Sequence, residues 1–599
     1  MVRINLLVLA TAAISPIVSA SVWPLPKEQS LGTQVAWLDG KAKFHVKYGP
    51  AGNQSHTYKY TRDAETSRVT RRKTSKKGLA ETRIDAAIDR TKSYLYNDNL
   101  IPWMFHKKGS DWQPQYDKKT AIVIKSISVT QTDPEPDNTL DQPIDESYTL
   151  TIDKVNDREA AVVITGKTST GVLHGLTSLS QLFYTDDSSN KKKGVYTPYL
   201  PVSITDSPRF PHRGINLDVA RSFYPVQNIK SLIDTLSWNK MNTLHIHITE
   251  SQSWPLEIKS MPDLAAKGAY TKYQIYSVRD IDDIYSYAAL RGIRVIMEID
   301  MPGHTASIAY SRPELIANFN HQPWTGFCAQ PPCGQLKLNS PAVDKFVEDL
   351  FKELLPRLKS SGAGYFHAGG DEYNTNSAQF DETVGSNEPS VVLPKLQRFV
   401  SKVHKEILDA GFTPIAWEEM LLEFPLDLDP RVIIQAWIDN ESVKKVVDKG
   451  HRVIFGNYKN WYLDCGFGFW LDVTPEKFGQ LAPAFTDYCS PMKNWKAIYY
   501  YDALDGIPED KLHLVLGGEV HMWSEQVDGQ ILDARVWPRA SAAAEVLWSW
   551  NRDESGEYRT QLSVTPRLAL MRERMVARGV QASLVTQGWC LQNPGDCQY

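Results

Sequence analysis

Asp371 and Glu372 stand side by side behind Gly369-Gly370, at the end of the apolar run Tyr365-Phe366-His367-Ala368. Glycine lets a backbone bend sharply and approach a ligand closely. Paired carboxylates at the exit of a buried strand are either solvated loop acids or catalytic groups held in a cleft. Other reactive residues recur in the same setting. RGINLDVAR begins with Arg213 and runs through Asp218 to Arg221, His245-Ile-His247-Ile-Thr-Glu250 closes the next run, and Glu298-Ile-Asp300-Met-Pro-Gly-His304 closes a third. Further along come Trp417-Glu418, Trp437, Trp461-Tyr462-Leu-Asp464 and the group Glu519, Trp523 and Glu525. Any one of these acids alone reads as surface. Carboxylates, histidines and tryptophans at every exit read as a polar cleft with aromatic walls, which is what a sugar site needs. His245 and His247 share one face of a strand and so could suit a metal; a buried, hydrogen-bonded pair is the expected arrangement, and neither metal nor cofactor is assigned.

The elements that must position these residues alternate between short β-rich runs and amphipathic helical ones. Strands are expected at 214–219, 243–249, 294–299, 364–368, 413–417, 432–437, 452–456 and 512–516, with helices such as 229–238, 281–289 and 343–358 between them. Eight strand–helix units are the count of a (β/α)8 barrel, placed at 206–599, whose active site sits at the C-terminal ends of its strands. A doubly wound open sheet is the alternative, but no GxGxxG follows an early strand. Ahead of the barrel, alternating runs at 121–130, 147–153 and 160–165 and a helical pattern at 171–183 indicate a small α+β domain with an antiparallel sheet, placed at 111–205. The fold class is therefore α/β, a barrel preceded by a small α+β domain.

Residues 21–110 show no compact-domain pattern. The basic clusters Arg71-Arg72-Lys73, Lys76-Lys77 and Lys107-Lys108 read as solvated surface or as processing sites of a pro-segment. Residues 1–20 have the layout of a signal peptide: Arg3, an apolar run from Leu6 to Ile14, and Val18-Ser19-Ala20. That run is too short to cross a bilayer, so the chain is expected to be secreted, with no membrane partner. Its six cysteines fall in local pairs, Cys328/Cys333, Cys465/Cys489 and Cys590/Cys597. An oxidising compartment makes three nearest-neighbour disulfides the expectation; zinc, the alternative, lacks a CxxC spacing. Asn53 and Asn440 open glycosylation sequons. At 599 residues, with 42% hydrophobic content, there is ample material for a large core, and a net charge of −4 gives no nucleic-acid footprint. Arg567, Arg572, Arg574 and Arg578 have helical spacing and suggest a solvated or partner-covered face.

HAGGDE, together with RGINLDVAR, EIDMPGH and GGEVHMWSE, resembles the β-N-acetylhexosaminidases of glycoside hydrolase family 20, over roughly residues 115 to 590 and most of all their secreted fungal members. The resemblance implies exo-hydrolysis of terminal β-linked N-acetylglucosamine or N-acetylgalactosamine, a homodimer, and an N-terminal pro-segment that can stay associated after cleavage. Most glycosidases set two carboxylates on opposite sides of the bond, but neighbours in sequence do so awkwardly. In the substrate-assisted variant the 2-acetamido oxygen of the sugar is the nucleophile, and the enzyme supplies one acid and one group that orients the acetamido nitrogen. Carried over, Glu372 is the general acid and later base, Asp371 accepts the acetamido N–H, and Tyr462 donates to the acetamido oxygen. Trp417, Trp437 and Trp523 would wall the pocket, while Arg213, Asp464 and Glu525 would bind ring hydroxyls. His304 and Glu250 would form a supporting pair near Glu372. Glu250 stands where the family usually has Asp, and Ile246 where it usually has Trp. Two other readings remain: a carbohydrate-binding barrel without catalysis, and a two-carboxylate glycosidase pairing Glu372 with Glu418.

Overall fold

The structure is a computed structural model, and it describes residues 22–49, 78–135, 144–187, 194–472 and 486–599, plus the backbone of 61–62 and 69–70. The signal sequence, Asn53 and the clusters at 71–73 and 76–77 lie outside the described residues.

Eight parallel strands close into a barrel: His212–Asp218, Thr243–His247, Arg294–Glu298, Tyr365–His367, Thr413–Trp417, Ile433–Ala436, Val453–Phe455 and Val515–Met522. Helices such as Val226–Trp238, Val278–Ala289 and Pro341–Ser360 pack their apolar faces around it. The bottom of the barrel interior is plugged by Ile296, Ile415, Ile433 and Ile454, a layer of branched side chains of the kind that fills such barrels. Above it the interior turns polar. Ile246 points outward into the core shared with the helices, so its departure from Trp does not touch the cleft.

The eighth strand departs most from expectation. Residues 509–514 form a 3-10 turn and the strand starts only at Val515. The Gly517-Gly518 pair interrupts the apolar pattern that would have revealed it. Glu519 consequently lies inside the strand, not beyond it, and it points into the barrel, where Gly214 on the neighbouring strand leaves room for its side chain.

The small domain carries a six-stranded sheet in the order Glu28–Lys47, Ile122–Gln131, Glu159–Gly166, Tyr148–Asn156, Val195–Asp206, Tyr184–Thr185. Two corrections follow. The sheet is mixed rather than antiparallel, because Glu28–Lys47 runs parallel to Ile122–Gln131, which in turn runs parallel to Glu159–Gly166. The domain also begins near residue 22 rather than 111. Strand Glu28–Lys47 pairs at its far side with Val195–Asp206, and helix Leu79–Asn97 packs Ile84, Ala87, Ile88 and Leu95 onto the same core. Only Ala36, Trp37 and Leu38 along the strand are buried; its one alternating stretch, Ala42, Phe44 and Val46 between lysines and His45, is half-buried on the core and is interrupted upstream by Gly32 and Gly40.

The C-terminal arginines are also corrected. Arg574 donates to the carbonyls of Ser180, Gln181 and Phe183 in the small domain, and Arg567 forms a bidentate pair with buried Glu545. Arg574 thus ties the C-terminal helix to the small domain, Arg567 ties it to a neighbouring barrel helix, and neither faces solvent. The three disulfides form as paired by sequence proximity: Cys328–Cys333, Cys465–Cys489 and Cys590–Cys597. Asn440 is half-buried, its amide donating to the Asp502 carbonyl and accepting from the Tyr501 hydroxyl, which disfavours it as a glycan acceptor.

Candidate active site

At the C-terminal mouth of the barrel is a cavity of about 450 Å³, into which Arg221, His304, Asp371, Glu372, Trp417, Trp437, Tyr462, Asp464, Trp523 and Glu525 all project. The exit of the fourth strand builds its floor. Gly369 and Gly370 take φ values of +69° and +110°, and a Cβ on Gly369 would come within 1.8 Å of Asp300 Oδ1. Only glycine fits this turn. Glu372 itself sits at φ +52° and His304 at +55°, a region costly for non-glycine residues and concentrated at functional sites. Gly370 N donates to Asp300 Oδ1 at 2.8 Å, which pins the turn to the third strand's exit.

The two acids diverge in their surroundings. The Glu372 side chain is 35% exposed and its Oε2 lies 3.2 Å from His304 Nε2; Asp371 is 13% exposed, with Oδ2 3.8 Å from the same nitrogen. Asp371 Oδ1 is buried, and the Asp371 carboxyl shares a hydrogen bond with the carboxyl of Asp300. Burial raises Asp371 above its ordinary value, with His304 pulling the other way. Burial and the Asp371 charge push neighbouring Asp300 much further up. Asp300 therefore carries the proton of this acidic pair and leaves Asp371 free to accept one.

His304 links to Glu250, with Nδ1 2.9 Å from Oε1. Glu250 is fully buried and also meets His247 Nε2 at 2.9 Å and Arg221 Nη2 at 2.7 Å. Burial alone would raise the Glu250 pKa; Arg221, His304 and His247 overcome it and hold the carboxyl far below its ordinary value. Burial likewise pulls His304 down, but Glu250 and Asp371 outweigh it and keep the ring charged. The extra methylene of Glu250 is thus accommodated: the side chain reaches His304 and Arg221 together.

Trp417 and Trp523 pack at 6.1 Å and Trp437 stacks on Tyr462 at 6.3 Å, giving three indole walls and a phenol. Trp437 is held by Nε1 donating to Glu419 Oε1 at 2.9 Å. Burial raises the Tyr462 hydroxyl well above its ordinary value, so it remains a donor. Asp464 is raised by burial and by Glu525, and its Oδ1 too is buried. The Cys465–Cys489 bridge belongs to one buried cluster with Trp417, Tyr462 and Trp523.

Two expected residues are not in this cavity. Arg213 lies at the closed end of the first strand, fully buried, with Nη2 2.5 Å from Glu146 Oε2 and Nε donating to the Lys240 carbonyl at 2.9 Å. Arg221, beyond the open end of the same strand, is the arginine that reaches the pocket. Glu418 is turned away and committed: Oε1 accepts from Ser442 Oγ at 2.6 Å and Oε2 from Trp437 N at 2.9 Å. It cannot oppose Glu372. Sequence reasoning missed Trp324 and Gln330, which a loop closed by Cys328–Cys333 brings to the rim, where Gln330 Nε2 donates to Glu525 Oε1 at 3.3 Å. That cysteine pair was the only signal for them.

A (β/α)8 barrel whose open end holds acids, an arginine and an aromatic cage suits a protein that handles sugars, of the glycoside hydrolase kind. The family is settled by comparison: a family model described as "Glycosyl hydrolase family 20, catalytic domain" matches residues 210–551, and one described as "beta-acetyl hexosaminidase like" matches residues 22–182. The chain belongs to glycosyl hydrolase family 20. It is 36% identical to a beta-hexosaminidase of Arthroderma benhamiae, over 96% of this chain and 97% of that one. It is 32% identical to a chitooligosaccharidolytic beta-N-acetylglucosaminidase of Bombyx mori, over 87% of this chain and 84% of that one. Among solved structures, the chitobiase of Flavobacterium johnsoniae shares the fold, with a TM-score of 0.69 at 23% identity, covering 93% of this chain and 73% of that one.

Proposed function

We propose that the chain is a secreted exo-β-N-acetylhexosaminidase that removes terminal β-linked N-acetylglucosamine or N-acetylgalactosamine by a retaining mechanism in which the substrate's acetamido group is the nucleophile. The observation that carries this reading is the buried Asp371 carboxylate, kept as an acceptor beside protonated Asp300, next to the more exposed carboxyl of Glu372. One acid is placed to accept an N–H inside the pocket and the other to reach a glycosidic oxygen at its mouth.

In the first step the acetamido oxygen bonds to the anomeric carbon as the bond to the leaving oxygen breaks. Glu372 gives that oxygen its proton. Asp371 accepts the acetamido N–H and stabilises the positive charge that develops on the ring of the cyclic oxazolinium. Tyr462 donates to the acetamido oxygen and holds it in line. In the second step Glu372, now a carboxylate, takes a proton from water as the water oxygen attacks the anomeric carbon and the ring opens. Arg221, Asp464 and Glu525 bind the sugar hydroxyls, and the indoles cover its apolar faces. The signal-like N-terminus and the disulfides support export. The homodimer implied by resemblance is to be read from sedimentation of the secreted protein.

Turnover of an aryl N-acetyl-β-glucosaminide tests the reading. Glu372→Gln should lower kcat by about 10²–10⁴ with KM changed little, and a thiazoline mimic of the cyclic intermediate should inhibit the wild type. An unchanged kcat removes Glu372 as the acid. Equal turnover of the plain glucoside removes the acetamido group as nucleophile, and sugar binding without turnover makes the barrel a lectin.

A further inference from the structure

Below the pocket floor the barrel interior holds ionisable groups that the reaction as written does not use. The chief of them is Glu298, the last residue of the third strand and fully buried. Strand register places it between His247 on one side and His367 on the other. Its Oε2 lies 2.5 Å from His247 Nδ1 and 3.0 Å from His245 Nε2. Its Oε1 accepts from Trp417 Nε1 at 2.8 Å and lies 3.1 Å from His367 Nδ1.

From there an alternating file of carboxylates and imidazoles runs upward. His247 Nε2 meets Glu250 at 2.9 Å, Glu250 meets His304 Nδ1 at 2.9 Å, and His304 Nε2 meets Glu372 at 3.2 Å. A ring caught between two carboxylates satisfies both only when both of its nitrogens carry hydrogen. A buried carboxylate left without a donor is costly. With Glu298 charged, His247 carries hydrogen on both nitrogens and donates to Glu298 and Glu250 together, and Glu250 keeps its remaining acceptor positions for His304 and Arg221.

We propose that Glu298 is a positioning residue for the reaction: by keeping His247 doubly protonated, it holds Glu250 and His304 in the arrangement that aims an N–H at Glu372. The inference rests on Glu372 being the acid, as read above. Every charged neighbour of the file is consistent with it. Burial would pull His247 down, yet Glu298 and Glu250 hold it well above its ordinary value. Glu250 also faces Arg221, and His304 also faces Asp371 and Asp300. Below, His245 meets Glu519 at 3.0 Å, and Glu519 meets His212 at 2.7 Å. The remaining rings nearby, His367, His404 and His521, are pushed down by burial and stay neutral.

The test is Glu298→Gln in the full chain, with kcat and KM for an aryl N-acetyl-β-glucosaminide followed across pH. The amide still accepts from Trp417 but carries no charge. We expect kcat to fall about 10-fold or more with KM within about threefold, and the alkaline limb of kcat to move down by about one pH unit, because an imidazolium that has lost its counter-charge deprotonates earlier. Glu298→Asp, which restores the charge, should return the limb most of the way. A raised KM with an unmoved limb would mean that Glu298 merely supports Trp417, and it overturns the proposal. Should the Gln variant fail to fold by circular dichroism, ring-¹⁵N spectra of histidine-labelled wild type decide: a doubly protonated His247 above neutral pH supports the role, and a neutral ring overturns it. Failure of the wild type to turn over the substrate, or full activity of Glu372→Gln, would instead sink the reading of the acid itself.

Discussion

Two arginines from one nine-letter motif show how position along a strand decides a residue's work. Arg213 and Arg221 have the same chemistry, but Arg213 stands at the start of strand His212–Asp218 and Arg221 just beyond its end, so one faces the closed end of the barrel and the other the cleft. Arg221→Ala should lower kcat/KM for the aryl substrate by about 10-fold or more, since it loses sugar contacts and one anchor of Glu250. Arg213→Ala should leave the constants of the folded enzyme within about twofold while costing about 3–5 kcal/mol of stability, because Glu146 is stranded as a buried charge. Denaturant titration beside steady-state kinetics separates the two effects. Reversed outcomes would restore Arg213 to the site.

Among the elements, those whose pattern reflects burial were legible and those whose pattern does not were hidden. The fourth strand and its turn could be read because burial and a required backbone geometry both leave marks: apolar residues, then glycines. Gly369→Ala should abolish measurable turnover and lower the melting temperature by several degrees, since a Cβ 1.8 Å from Asp300 Oδ1 forces the turn apart. A variant with wild-type kcat would show that the turn can relax. Strand Glu28–Lys47 left a fainter mark because only three of its residues are fully buried, and the eighth barrel strand was masked by its own glycines. Of the site, Asp371, Glu372, Tyr462 and the tryptophans reach the cavity where the motifs put them. The rim residues Trp324 and Gln330 arrive on a loop whose path depends on tertiary contacts, and no local spacing encodes that.

At the scale of the whole molecule, the small domain is fastened behind the barrel by charges. Glu146 joins Arg213 and His174 across the junction, with its Oε2 2.8 Å from His174 Nε2. Burial would raise its pKa, but Arg213 and His174 hold it at about 2, below the ordinary 4.5. A carboxyl depressed in the folded state stabilises above its unfolded pKa, and that stability drains away as pH falls from 4.5 toward 2. The wild type should lose about 3 kcal/mol over that interval through this group. Glu146→Gln should be less stable at neutral pH and show a shallower acid slope in calorimetry; parallel slopes would exclude the linkage. The Cys465–Cys489 bridge, on the open side, has a different consequence. Both cysteines are buried and share one apolar cluster with Tyr462 and the indoles of the cage, so reducing the bridge should loosen the cage and cost activity. A ligand that binds only the intact cage stabilises it by mass action. Occupancy should therefore slow the loss of activity in a reducing medium, and equal loss with and without a thiazoline inhibitor would show that the bridge does not support the cage.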